Sequence, residues 1–271
     1  MRGRAGSSRT IPATSAAATH KALAKNKNPL VRLRNALFPG RKQRNKANKA
    51  LTREQRFSSG ELWQQDDVWA KRAYESYEEY LAHQASKLDG AYDRRVEKDA
   101  ADYEEFRRRF ASLPQLEGRH SVLCLGARLG GEVRALRELG HFAVGIDLNP
   151  GKDNPYVHHG DFHALAFNDG SVEAVYINAL DHVFDLGRVV KEIHRVLRPN
   201  GLFIAHMLAG FEQGFLPGKF EATHWRHTDD LVRALLDAAP FEQVGFRDLG
   251  MLGRNHWFES LLVKQAYDPA I

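Results

Sequence analysis

The chain has 271 residues, 39 Lys and Arg against 34 Asp and Glu, 43% hydrophobic residues and one cysteine, a composition that suits one or two globular domains with a sizeable core. It excludes a disulfide scaffold, a zinc ribbon and a collagen. No apolar run approaches the roughly 20 residues that cross a bilayer, because the best candidate, 202–210, is short and interrupted by His206.

The net charge of +5 hides a split, since residues 1–53 carry 14 Lys and Arg and no acid, leaving 25 bases against 34 acids in the remainder. The acidic body does not support a basic groove for nucleic acid, so any polyanion binding belongs to the tail.

Residues 1–56 are rich in Arg, Lys, Ala, Ser, Thr and Asn and show no apolar periodicity before Leu30, Leu33 and Leu37. They read as a disordered basic tail or as an organelle transit peptide. The expected location is the cytoplasm, or the mitochondrion or plastid if the tail is a transit peptide. Residues 57–115 read as a helical extension, a lid beside the cleft. Two amphipathic helices are predicted between Glu61 and Leu113, with stripes Tyr74, Tyr77, Leu81 and Tyr103, Phe106, Phe110 and a break at Gly90.

After Pro114 strands and helices alternate over 118–267. Strands are predicted at 121–125, 142–148, 156–160, 174–178 and 202–206, with helices at 132–139, after Asp185 and after a capping Thr228. Such alternation requires a mostly parallel sheet, and two last strand signals, 244–249 and 257–263, add a hairpin to it.

Chemistry is carried at the predicted strand ends. Gly126, Ala127, Arg128, Leu129, Gly130 and Gly131 link the first strand to its helix and let a backbone approach a ligand closely. Seventeen residues after Gly130, Asp147 ends the next strand, where a carboxylate can accept both hydroxyls of a ribose. The loop lacks the G-x-G-x-x-G of dinucleotide sites, with Arg128 at the position that spacing reserves for glycine. Asp161 can accept from an adenine amino group while Phe162 faces the ring. These features together indicate an adenosine-containing cofactor.

At these residues the sequence resembles the class I S-adenosylmethionine-dependent methyltransferases of the type 11-like kind, over roughly 118–265. Val122 to Gly130 is similar to their glycine loop, Gly145 to Leu148 to their ribose-binding strand end, and Gly160 to Phe162 to their adenine-binding turn. Phe167 to Ser171, Asn178 to His182 and Arg195 to Gly201 are similar to the stretch from their fourth strand to their fifth. The resemblance implies an α/β fold with a Rossmann-like, mostly parallel seven-stranded sheet ending in a C-terminal β-hairpin. It further implies S-adenosyl-L-methionine as cofactor, with Leu148, Asn178 and Ala179 joining Gly126, Ala127, Arg128, Gly130, Asp147, Asp161 and Phe162 around it.

Two residues depart from the family pattern. Cys124 stands where an acid is usual and reads as a buried structural thiol, since no cation adjoins it. Arg128 stands where Gly is usual and either pairs with the cofactor's carboxylate or lies on the surface. Asp181 and His182, after the fourth strand, are the nearest candidates for taking a proton from the acceptor or orienting it, although His182 equally fits packing over the cofactor. His206, His224, Trp225, Arg226 and His227 are expected around the same rim. No metal is expected, because the clustered histidines lack a completing ligand set. Two functions stand: methyl transfer to an acceptor that the sequence does not name, or a degenerate regulatory module that binds the cofactor without transfer.

Overall fold

The computed structural model describes residues 53–55, 57–58, 62–88 and 92–266, all within the unit Thr52–Ile271. Of the basic tail at 1–56, residues 1–52 and 56 lie outside the described residues, and with them the transit-peptide reading, as does Gly90.

The extension departs from the all-helical expectation. Strands β1 (Trp63–Gln65) and β2 (Trp69–Arg72) form a hairpin first, and helix α1 (Tyr77–Ala85) starts only after its N-cap Ser76. The hairpin is favoured locally because the Asp66 carboxylate accepts from the N–H groups of Val68 and Trp69, an Asx-type turn. Short aromatic runs of this kind carry no helix or strand period of their own, which is why the sequence pattern missed them. The buried face of α1 holds Tyr80 and Gln84 rather than Leu81. Helix α2 (Tyr92–Ala111) buries Phe106 and Phe110 on the predicted stripe, together with Arg109.

The alternating region then builds β3 (Ser121–Leu125), α3 (Gly131–Glu138), β4 (Phe142–Asp147), β5 (Val157–His159), β6 (Val172–Ile177), α4 (Leu186–Val196) and β7 (Leu197–Leu208). After these come β8 (Thr223–Trp225), α5 (Thr228–Ala238), β9 (Phe241–Leu252) and β10 (Asn255–Lys264). The main sheet is seven-stranded in the order β5-β4-β3-β6-β7-β10-β9. Its first five strands are parallel, while β10 is antiparallel to both β7 and β9. The predicted C-terminal hairpin is therefore present, and β8 instead joins β2 and β1 in a second sheet.

Helix α4 shows how pattern becomes packing. Asp185 caps it by accepting from the Arg188 N–H, and Val189, Val190, Ile193 and Val196 are fully buried on one sheet face, each contributing about 1.5–3 kcal/mol of apolar burial. Helix α5 begins one residue from expectation, with His227 at the N-cap and its N–H donating to Asp230 Oδ2 at 3.1 Å. Helices α2 and α3 cover the opposite face, where Cys124 is fully buried and burial pushes its thiol well up, so it is chemically quiet as expected.

Helix α2 is keyed to the sheet by a polar cluster. Buried Arg109 donates to Tyr176 Oη at 2.7 Å and lies 3.1 Å from His206 Nε2 and 3.4 Å from a Glu259 oxygen. His206 is thus 4% exposed inside this network, not on the rim. Trp225 is likewise fully buried, its Nε1–H donating to the Leu208 carbonyl. Both correct the rim expectation: an indole or imidazole with a satisfied donor is cheaper inside than its position near a strand end suggests. The order β4-β3-β6 places the topological switch at β3, so a crevice opens beyond the carboxyl ends of β3, β4 and β6.

Candidate active site

The chain leaves β3 through three residues of positive φ, Gly126 (71°), Arg128 (47°) and Gly130 (85°). At Gly126 the requirement is also spatial: an added Cβ would stand 2.6 Å from the Ala179 Cβ. Arg128 holds the left-handed conformation at a cost of about 1–2 kcal/mol relative to a relaxed residue. The loop is fixed to the tip of β4. Gly126 N–H donates to the Ile146 carbonyl at 2.8 Å, and the N–H groups of Arg128 and Asn149 donate to the two oxygens of Asp147 at 2.9 and 2.8 Å. Those bonds use two of roughly four acceptor positions on the carboxylate and orient the rest.

Helix α2 lies over this loop, and the cleft between them is lined by Arg95, Asp99, Phe106, Arg128, Glu132 and Asn178, together with Gly126 and Ala127. Asp99 of α2 accepts from the Gly131 N–H at 3.0 Å and pairs with Arg134 at 2.6 Å. It thereby caps α3, whose own N-cap, Gly130, has no side chain to do so.

Beyond β5, Asp161 is already engaged. One oxygen accepts from the Tyr77 hydroxyl at 2.5 Å, the other from the N–H and Nδ1 of His163 at 2.8 and 2.9 Å. Burial alone would raise this carboxyl, but the donors from His163 and Tyr77 outweigh it and hold it down to about 2. Phe162 is buried in the main core, and its ring passes 3.8 Å from where a Gly126 Cβ would stand.

The turn after β6, Leu180–His182, carries the third group. The His182 Nδ1 lies 2.9 Å from the Phe220 carbonyl, so it carries the proton there, leaving Nε2 as acceptor. Lys87 Nζ approaches that Nε2 to 2.5 Å. Burial, then Lys87, pushes His182 well below the usual histidine range; burial also lowers Lys87 and raises Asp181. Asp181, His182 and Glu221 bring their ligating atoms within 4.8 Å of one another, with Lys87 supplying positive charge beside them.

The structure gathers Gly126, Ala127, Arg128 and Asn178 into one cleft wall, sets Ala179 against Gly126, and places Asp147 and Leu148 at the end of β4. Asp161, Phe162, Asp181 and His182 follow the neighbouring strand ends. Among the side chains at the site that escaped the sequence reading are Tyr77, Lys87, Asp99, Glu132 and Glu221. The first three come from the extension, 84 residues from Asp161, 95 from His182 and 32 from Gly131, separations that no local pattern spans. Glu132 had a signal, an acid in the first turn of a helix that follows a glycine loop.

Residues 123–205 match the family described as "Methyltransferase domain". A 24-methylenesterol C-methyltransferase 2 of Oryza sativa subsp. japonica is 29% identical over 163 residues, 52% of this chain and 45% of that protein, so the chain spans under half its relative's length. Among solved structures, a 1,6-didemethyltoxoflavin-N1-methyltransferase of Burkholderia thailandensis superposes with a TM-score of 0.57 at 22% identity, covering 75% of this chain and 99% of that one. A chain from the complex of the Haloferax volcanii Trm112 methyltransferase activator with a methyltransferase gives 0.54 at 20%, covering 68% and 99%. Residues 123–205 thus match a methyltransferase domain and lie on a sheet with the fold of the class I S-adenosylmethionine-dependent methyltransferases.

Proposed function

We propose that the chain is an S-adenosylmethionine-dependent methyltransferase, with its cofactor across the carboxyl ends of β3 and β4 and its acceptor beside His182. The observation that carries the reading is the pairing of a loop too tight for any residue but glycine with a carboxylate aimed by two amides, Gly126 and Asp147. The residues present fit the cofactor: Asp147 has free acceptor positions for ribose hydroxyls, and Leu148, Asn178 and Ala179 at the neighbouring strand ends would line it. Gly126, Ala127 and Gly130 offer close backbone approach, Arg128 a guanidinium for a carboxylate, and Asp161 with Phe162 the adenine end. Since Tyr77 already donates to Asp161, adenine recognition here shares that carboxylate with the extension.

When bound, the cofactor supplies an already activated methyl group. The chain's own part is to align, exclude water and take a proton from a hydroxyl or ammonium acceptor. His182 is neutral and offers Nε2; Asp181 and Glu221 provide Lys87 with a second place when it leaves that nitrogen. Proton acceptance at His182 Nε2 then leaves its Nδ1–H on the Phe220 carbonyl unchanged. The extension closes the site, since Tyr80 donates to the His182 carbonyl and Gln84 to that of Phe220. Similarity to the sterol C-methyltransferase favours catalysis over a degenerate module, and an apolar acceptor over a nucleic acid.

The test is calorimetry with S-adenosylhomocysteine, the demethylated product. Asp147→Ala is expected to weaken binding by about 1–3 kcal/mol, because two hydroxyls lose a charged acceptor in a partly dry site. Full affinity in a folded Asp147→Ala protein contradicts the assignment.

A further inference from the structure

Glu132 is a buried carboxyl with no ion-pair partner among the described residues. It is the second residue of α3, 4% exposed, and its side chain lines the cleft between α2 and the Gly126 loop. Among the described residues it forms no ion pair: Arg134, on the same helix, is taken by Asp99. Its ionisable neighbours are Asp99 of α2, Arg128 of the loop, Asp147 of β4, Cys124 of β3 and Tyr176 of β6; on the α2 side Arg95, Lys98 and Asp102 line the same cleft. Burial pushes Glu132 up to about 8, aided by the Asp99 and Asp147 carboxylates, and its own backbone N–H and Arg128 pull the other way without reversing the balance. A buried carboxyl of this kind is costly to keep, and it faces the place proposed above for a ligand that brings two cations.

We infer that Glu132 receives the α-ammonium of the cofactor's amino-acid tail. The inference rests on the cofactor reading proposed above and deepens it. The ammonium is preferred to the sulfonium on two grounds. Only the ammonium carries N–H donors to satisfy a dehydrated carboxylate. A carboxylate placed against the sulfonium would stabilise a charge that disappears during transfer and so oppose the reaction, whereas the ammonium is unchanged throughout. Arg128, on the same cleft wall, is then the partner of the tail's carboxylate, and the two side chains together read an amino acid by both of its charges.

The chemistry fixes the proton balance. Below about pH 8 the free protein holds Glu132 protonated, and binding an ammonium requires it to ionise, so one proton leaves for the buffer as the ligand enters. Affinity therefore rises from pH 6 to pH 8, by up to about tenfold per unit.

The experiment is isothermal calorimetry of wild type and Glu132→Gln with S-adenosylhomocysteine, which keeps the ammonium but has no sulfonium, and with 5′-methylthioadenosine, which lacks the amino-acid tail. Glu132→Gln is expected to weaken S-adenosylhomocysteine by about 10- to 100-fold and to leave methylthioadenosine within about twofold. In wild type at pH 7, heats measured in buffers of different ionisation enthalpy are expected to show release of about one proton with S-adenosylhomocysteine and none with methylthioadenosine. This comparison needs no variant and decides the question even if Glu132→Gln fails to fold. Equal losses for both ligands, an unchanged S-adenosylhomocysteine affinity, or no proton release overturns the inference while leaving the cofactor reading in place. Absence of S-adenosylhomocysteine binding to wild type overturns both.

Discussion

The substitution Gly126→Val is expected to lower the affinity for S-adenosylhomocysteine at least 100-fold and to destabilise the protein by several kcal/mol. Two costs add. The left-handed φ of 71° penalises any L side chain by about 1–2 kcal/mol and a β-branched one most. The new Cβ would stand 2.6 Å from that of Ala179, and overpacking of that kind costs about 1–3 kcal/mol more. Relief requires the loop to move, which separates the Arg128 N–H from Asp147 and opens the proposed ribose site. The control is Gly140→Ala: φ there is 92° but an added Cβ meets nothing within 4 Å. It is expected to cost about 1 kcal/mol of stability, from the strain alone, with no change in affinity. Calorimetry and urea melts of both variants check the pair; equal effects on affinity would separate the loop from the site.

His182→Ala is expected to slow methyl transfer by roughly 10²- to 10⁴-fold, the range of a general base, while S-adenosylhomocysteine affinity stays within about twofold. The imidazole lies after β6 and bonds to Phe220 and Lys87, not to the loop amides that hold Asp147. Removing it leaves Lys87 beside Asp181 and Glu221, which continue to balance its charge, so the site does not collapse for lack of a counter-ion. Release of label from methyl-labelled S-adenosylmethionine into a panel of hydroxyl, amine and sterol-like acceptors measures the rate. A parallel fall in rate and affinity would make His182 a packing residue; a normal rate would place the base elsewhere.

Strands β3 and β6 were legible because each is a buried apolar run, and Asp185 announced α4 by its capping position. Asp147 and Gly126 were legible because backbone conformation and strand ends fix them locally. The hairpin β1–β2 was not, since its few residues gain their stability by pairing with β8, some 150 positions away. Tyr77 illustrates the same limit: its place on an aromatic stripe predicts burial, and only the packing of α1 shows its hydroxyl on Asp161. His206 errs in the opposite direction. Its strand-end position suggested the rim, whereas Arg109, arriving from α2, made the interior habitable for it.

In the proposed complex an adenosyl cofactor lies across the carboxyl ends of β3 and β4 beneath α2. A crystal structure of the protein with S-adenosylhomocysteine measures this most directly. Expected are ribose hydroxyls within hydrogen-bond distance of Asp147, the adenine end toward Asp161 and Phe162, and the amino-acid tail between Arg128 and Glu132. A ligand bound away from the Gly126 loop, or a cleft that stays empty at saturating concentration, would contradict it.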